Sequence, residues 1–429
     1  MTTAERIIKS GSSDKDRGFD PFSSDFRADP YAAYQDWRRK GAVNWGAAPD
    51  QMGPGCWYVF GHAEAKTVLA DPNFAADPLS AAPEGLPAPP PEYLPLYDML
   101  GRWFIFRDAP FHTRMRQCVA GAFSSNAIQD FKPLIERTAQ DLAIAIAAKP
   151  RADLMQDLAL ALPRKIIGHI LGLPDKDMPR LVRWSAALLE GLDFCTAETF
   201  DATRRNGALT AREMSEYLDG VLEGKHGGTP DGLIAQLSKG ALNNPVPRDD
   251  LLATLALLVF AGHETTVNLI GNGLQALLTH RDQFARLKDT PGLIGPAIEE
   301  FARFNSPSQI TFRFTRETTL LGGKVIEQGS PVGVVIGSAN HDEAVFDNPG
   351  RFDIARAPNP HISFGHGVHA CLGVTLARAE VRSAVEALLR HCPDLVLASD
   401  QPVWSGSIGL RGLKCLPVET GSAPDSRRR

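Results

Sequence analysis

Apolar residues recur at helical spacing through the middle of the chain. Between about Ala109 and Lys288 the set Leu154, Leu158 and Leu162, the cluster from Ile166 to Leu171, and then Leu181, Leu188, Leu189 and Leu192 mark successive amphipathic helices. This pattern predicts a helix bundle. The longest apolar run, Leu251 to Ala261, is broken by Thr254 and followed after Gly262 by His263 and Glu264, which suits a buried core helix better than a membrane span. From Ile310 to Val335 the period changes. β-Branched residues alternate there with Gly322, Gly323, Gly329 and Gly333, predicting a small meander of strands with turn glycines. Another short β segment is expected around Gly409 to Val418.

Prolines are dense between Asp77 and Pro95, which precludes a helix interior or a paired strand and predicts a long loop. Loops of that length serve as binding segments or are plain surface excursions. The polar ends, residues 1–18 and 421–429, read as frayed chain, leaving residues 19–420 as one large domain. No internal repeat or Gly/Ser linker divides it. The fold class is mostly α with a minor β region.

Composition narrows the function. The 429 residues are 43% hydrophobic and 22% charged, with 50 acidic against 45 basic side chains, a net charge of −5. A nucleic-acid binder would need a basic excess on the surface that faces phosphate. The six cysteines (Cys56, Cys118, Cys195, Cys371, Cys392 and Cys415) stand singly, without a CxxC pair, as reduced thiols of a cytosol do. The first twenty residues contain no signal-peptide core and no anchor, so the protein is expected to be unanchored and cytoplasmic.

The residues from Phe364 to Gly373 (FGHGVHACLG) lead directly into a helical pattern with Leu376, Val381, Val385, Leu388 and Leu389 on its apolar positions. Cys371 therefore precedes a helix N-terminus, where N–H groups and the helix dipole favour a thiolate, a good iron ligand. Gly365, Gly367 and Gly373 permit positive φ and bring backbone close to a flat cofactor. Two other readings stand beside this one: a structural cysteine, or a transition-metal site at His366, His369 and Cys371 that lacks a fourth ligand. The stretch resembles the haem-thiolate motif of the cytochrome P450 family, FxxGxxxCxG, matching at Phe364, Gly367, Cys371 and Gly373.

Three further segments extend the resemblance. Ala261 to Thr266 (AGHETT) places a glycine and two threonines inside the long apolar helix, where they are poor helix formers, together with a costly acid, Glu264. By itself this could be a kinked core helix with a satisfied carboxyl. By resemblance it is the family's distal groove, in which Thr265 would hydrogen-bond dioxygen and Glu264 would relay protons from solvent. Glu300 and Arg303 share a helical face, ordinarily a surface pair of ~0–1 kcal/mol, but they match the family's ExxR. Arg351, in FDNPGRF, would complete their buried network, although Gly350 replaces the usual acid before it. In the segment Asp108 to Arg116 (DAPFHTRMR), His112 and Arg116 form an i, i+4 pair on a helix starting after Pro110. A surface pair is the plain alternative. The segment resembles the family's HxxxR element, and the resemblance adds Arg313 and His369 as further contacts to the haem propionates.

The resemblance covers roughly residues 19 to 420. It implies the cytochrome P450 fold, a single haem-enclosing domain, with haem b as cofactor and Cys371 as its metal ligand. The implied activity is a monooxygenase inserting one oxygen atom of O2 into a hydrophobic small molecule, by hydroxylation or multi-step oxidation, with a terpenoid slightly favoured. Electrons would come from NAD(P)H through a separate ferredoxin and its reductase, docking on the Cys371 side near Arg107, Arg114 and Arg382. The expected pocket wall comprises the proline-rich loop up to Phe106, Trp184 to Phe200, Leu257 to Gly262, Ser308 to Phe312 and Ser407 to Gly409. The alternatives are a peroxide-driven or nitric-oxide-reducing haem-thiolate enzyme, and a non-catalytic haem or ligand-binding protein.

Overall fold

The computed structural model describes residues 18–23, 26, 29–48, 55–81, 88–192, 197–229, 232–238, 246–399, 401–405 and 407–421. The ends read as frayed, apart from Gly18 and Gly421, and residues 82–87 of the proline-rich loop lie outside these. The flanks of that loop carry short helical turns, Pro78–Ala81 and Pro91–Tyr93, which the loop prediction missed. Each begins with its proline, and the first turn is where a missing N–H costs nothing.

The helices that position the site are α1 (Phe111–Ala120), α2 (Ser125–Ala147), α3 (Ala161–Leu171), α4 (Met178–Leu192), α5 (Ala197–Leu222), α6 (Arg248–Thr279), α7 (Ile294–Phe304) and α8 (Val374–His391). α1 starts after Pro110 as expected and buries His112, Met115 and Val119 at i, i+3 and i+7. Ser124 caps α2 by accepting the Ala127 N–H at 3.3 Å. α2 packs along α8, and α4 along α5.

α6 is the central post, 32 residues long and apolar on nearly every side. α3, α4, α5, α7 and α8 all pack against it, which is why its sequence lacks a polar face. It is the described helix long and apolar enough to cross a membrane, and 78% of its most apolar window is buried inside the fold. The buried core helix read from Leu251 to Ala261 is therefore what forms. The leucine series starting at Leu154 is interrupted: Met155–Ala159 winds as a π turn, with the Leu160 N–H donating to the Met155 carbonyl at 2.9 Å, before α3 begins.

The expected meander comprises β4 (Ile310–Thr315), β5 (Thr319–Leu321), β6 (Lys324–Ile326) and β7 (Pro331–Val335), following β1 (Val43–Gly46), β2 (Cys56–Val59) and β3 (Phe74–Ala75) in the chain. β5 and β6 form a hairpin; the others form one mixed sheet in the order β1-β2-β7-β4-β3. β2 pairs parallel with β7, placing Tyr58 opposite Gly333. Gly333 is thus a strand residue and not the turn glycine expected: a Cβ there would lie 2.8 Å from the Tyr58 ring. The C-terminal β segment is present as Leu413–Cys415 and Pro417–Glu419.

One buried network ties α7 to the chain ahead of α8. Glu300 and Arg303 are both fully buried, and Arg303 Nε and Nη2 each donate to the Glu300 carboxylate at 2.8 Å. The third member is Arg356, whose Nε lies 3.2 Å from Glu300 with its side chain 10% exposed. Arg351, expected in that place, points outward with its side chain 66% exposed and contributes only its carbonyl, which accepts from Arg303 at 3.3 Å and Arg356 at 2.8 Å. A turn between the two arginines, closed by the Arg356 N–H donating to the Asp353 carbonyl at 3.0 Å, brings Arg356, five residues after Arg351, inward. Replacing Arg356 by Ala is expected to cost about 3 kcal/mol, as for a buried carboxylate losing one partner, whereas Arg351→Ala should stay within about 0.5 kcal/mol. Urea unfolding of the two variants followed by circular dichroism distinguishes the assignments.

Candidate active site

Between α6 and the segment leading into α8 lies a cavity of about 290 Å³. Leu257, Leu258, Ala261, Gly262, Thr265 and Leu269 of α6 form one wall. The other is the cysteine loop, residues 363–377. The loop is held by the Cys371 N–H, which donates to the Phe364 carbonyl at 2.8 Å, and by Gly365 and Gly367 at φ values of +74° and +73°. Gly367 also meets another part of the chain: a Cβ there would lie 2.5 Å from the Leu69 carbonyl oxygen. Gly373, expected to share this role, has φ of −90° and open space around it on the cavity wall.

Cys371 faces the cavity and precedes α8 as expected, but its thiol is not biased toward thiolate in the protein alone. Burial pushes it up, and the Gly373 backbone N–H with the Arg116 and Arg378 charges only partly opposes this. A cation bound at the sulfur would reverse the balance.

The rim is basic. Arg116, Arg313 and His369 line the cavity, and the His112 ring lies against that of His369, tilted by 47° with centroids 4.2 Å apart. Burial, with the His369 and Arg116 charges, pushes His112 down to about 4, and burial lowers Arg313 to about 10. His112 Nε2 and His369 Nδ1 are buried without a hydrogen-bond partner among the described residues. Neither Arg116 nor Arg313 pairs there with a carboxylate. Such a rim calls for anions that the chain does not contribute.

Thr265 lies on the distal wall, its hydroxyl donating to the Ala261 carbonyl at 3.3 Å. Glu264 is one residue away but beside the cavity, with its carboxylate 3.7 Å from His263 Nε2 and its side chain 23% exposed. Burial raises the Glu264 carboxyl. Of the expected pocket wall, Leu257, Leu258, Ala261, Gly262, Ser308 and Thr311 do line the cavity, with Phe104 and Ile105 from the end of the proline-rich region. The stretch around Trp184 does not: its indole donates to Glu213 at 3.0 Å and stacks with Tyr217. Residues 193–196 lie outside the described residues, and Ile408 packs into the N-terminal aromatic cluster instead. No group of three His, Cys, Asp or Glu side chains suited to a metal ion occurs among the described residues, so the His366, His369 and Cys371 metal reading lapses.

Sequence reasoning missed two residues of consequence. Arg356 carried no motif of its own. Asp108 stands in the quoted DAPFHTRMR but was assigned no role, and it receives Ala76 N–H at 3.0 Å, Ser80 Oγ at 3.0 Å and Arg316 Nη2 at 2.8 Å. Arg107, Arg114 and Arg382, suggested as docking charges, are each already paired, with Asp77, Asp250 and Glu386.

The cytochrome P450 family model matches residues 293–403, which contain Glu300, Arg303 and Cys371. Over 396 residues, 92% of this chain and 97% of the relative, the sequence is 34% identical to the biotin biosynthesis cytochrome P450 of Bacillus subtilis (strain 168). The chain belongs to the cytochrome P450 family. It is also 37% identical to the cytochrome P450 monooxygenase PikC of Streptomyces venezuelae over 94% of each chain. The crystal structure of P450BioI in complex with hexadec-9Z-enoic acid ligated acyl carrier protein superposes with a TM-score of 0.85 at 34% identity, over 92% of this chain and all of that one.

This P450 is accordingly a monooxygenase whose cofactor is thiolate-ligated haem iron, and it uses O2 with electrons from redox partners. Its cavity fits that cofactor: largely apolar walls, a cysteine on one of them, and at the rim, among the described residues, orphaned imidazole nitrogens and unpaired guanidinium groups for acidic side arms. Gly367→Ala is expected to destabilise the fold by about 1–3 kcal/mol, because it adds a clash at a left-handed position. It should also lower the haem content of the purified protein, read as the ratio of Soret to protein absorbance.

Proposed function

We propose that this P450 hydroxylates a hydrophobic small molecule, with Cys371 as the iron ligand, His112, Arg116, Arg313 and His369 holding the haem carboxylates, and Thr265 and Glu264 handling dioxygen and protons. The observation that carries the reading is the juxtaposition of Cys371 and Thr265 across one apolar cavity. When bound, thiolate-ligated haem supplies the activation of O2.

The chain's own residues supply position, dryness and protons. Leu257, Leu258 and Leu269 exclude water from the distal wall. The Thr265 hydroxyl, only weakly held by the Ala261 carbonyl at 3.3 Å, is free to turn into the cavity and donate to dioxygen. Glu264 carries its proton over a wider pH range than an exposed carboxyl because burial raises it, and its partly exposed side chain can be recharged from solvent. An acid next to an alcohol favours use of O2 over ready-made peroxide, which needs no proton delivery.

The apolar walls support a hydrophobic substrate such as a terpenoid, fatty acid, steroid or macrolide. The structural relative's acyl ligand supports a long-chain molecule more directly than a terpenoid. Sequential oxidation of one methyl group is compatible with the same cavity. Electrons arrive from NAD(P)H through a ferredoxin and its reductase, with the enzyme acting in the cytoplasm; the ion-paired Arg107, Arg114 and Arg382 are weak docking charges for that ferredoxin.

The test is the absorption spectrum of the dithionite-reduced protein under carbon monoxide, where a strongly red-shifted Soret band is expected. A Soret band of the histidine-ligated kind would remove Cys371 from the assignment, and Cys371→Ala should abolish the shift. Thr265→Ala is expected to retain haem and ligand binding while diverting electrons to hydrogen peroxide by about tenfold or more relative to product. Full coupling in that variant would exclude Thr265 from the mechanism.

A further inference from the structure

Asp108 is the acid on which two separate parts of the molecule meet. On one side it receives the segment that precedes the proline-rich stretch: the Ala76 N–H at 3.0 Å, the Asp77 N–H at 3.3 Å and the Ser80 hydroxyl at 3.0 Å. On the other it pairs with Arg316 Nη2 at 2.8 Å and faces His369 Nε2 at 3.9 Å. His369 lies two residues before Cys371, lines the cavity and leaves Nδ1 buried without a partner. Burial would push the Asp108 carboxyl up, but the nearby His369 ring and hydrogen bonds from the Ala76 backbone, Arg316 and Ser80 hold it well below the usual carboxylate range. It is therefore a fixed anion.

An imidazole held at one nitrogen has its other nitrogen aimed. A carboxylate of the cofactor accepting from His369 Nδ1 would fix the ring with Nε2 toward Asp108, and Asp108 in turn holds residues 76–80. We propose that Asp108 is a positioning residue that couples retention of the haem to the order of residues 76–80. The inference rests on the reading of His369 as a haem-carboxylate contact. Coupling of this kind is reciprocal: loosening the segment must loosen the haem, even when the residue changed is nowhere near the cavity.

Ser80 provides that change. It is exposed, does not line the cavity, and its hydroxyl donates to Asp108. In the holoenzyme, Ser80→Ala is expected to speed haem transfer to excess apomyoglobin by about two- to tenfold, the effect of one lost hydrogen bond. The amides of Ala76 and Asp77 should exchange with deuterium faster over the same range. Asp108→Asn, which keeps the size but removes the charge, is expected to speed transfer by about tenfold or more.

Faster exchange at residues 76–80 with an unchanged haem-transfer rate in Ser80→Ala would overturn the proposal. So would a lowered urea midpoint with unchanged transfer in Asp108→Asn, which reduces Asp108 to a structural role. If Asp108→Asn does not fold, Ser80→Ala alone decides. The red-shifted carbon monoxide band of the unaltered protein is measured separately; its absence would remove the haem-thiolate assignment, and a failure of the coupling with the band intact would remove only this inference.

Discussion

The buried carboxylate of Glu300 is the constraint around which the cysteine side of the protein is organised. A carboxylate with no exposure is tolerated only when every oxygen is occupied. Here Arg303 and Arg356 supply the charge, while the Asp353 N–H at 3.0 Å and Asn359 Nδ2 at 3.2 Å complete the shell. Arg303 passes the connection on by donating to the Asn340 carbonyl at 3.0 Å, and Asn340 Nδ2 donates to Ser363 Oγ at 2.8 Å. Ser363 also donates to the Ala302 carbonyl at 2.6 Å. The next residue, Phe364, accepts the Cys371 N–H. A chain of polar contacts thus runs from α7 to Ser363, next to the residue that holds the cysteine N–H, and its side-chain links are buried or half-buried, where displacement leaves a group unsatisfied.

The site combines opposite electrostatic problems on its two walls. Among the described residues the rim collects two arginines with no carboxylate partner and two imidazoles, of which His369 faces Asp108 at 3.9 Å, so the protein alone holds it with His112 kept neutral and Arg313 lowered by burial. On α6 the excess is of the other kind: among the described residues Glu264 faces no cation, only the buried ring of His263, and burial raises its carboxyl. The first arrangement is resolved by an acidic cofactor; the second is suited to giving up a proton. Both departures from ordinary charge pairing are what sequence rules expect at a functional site rather than in a structural core.

Much of this was legible without coordinates, for definite reasons. Helical periodicity is local, so α1, α6 and α8 follow from residues three and four apart, and the start of α1 follows from Pro110 alone. The family resemblance carried by the motifs singled out Cys371, Thr265, His112, Arg116, Arg313 and His369, and the fold brings Cys371, Thr265, Arg116, Arg313 and His369 onto one cavity, with the His112 ring against that of His369. β1 and β2 escaped notice because four-residue strands such as VNWG carry no usable alternation. The pairing of β2 with β7, more than 270 residues later, depends on the tertiary fold.

By itself the sequence determined which elements form and which residue types are available for chemistry, because propensity, period and motif spacing act over a few residues. Only the tertiary structure decided which arginine reaches Glu300, since Arg351 and Arg356 are separated by a turn that no local pattern encodes. It likewise decided that Glu264 stands beside the cavity rather than in it, that the Trp184 region packs away from the cavity, and that Asp108 joins residues 76–80 to His369. Each of these depends on where distant segments meet, and burial at those meetings fixes which polar groups must be satisfied and by which partner.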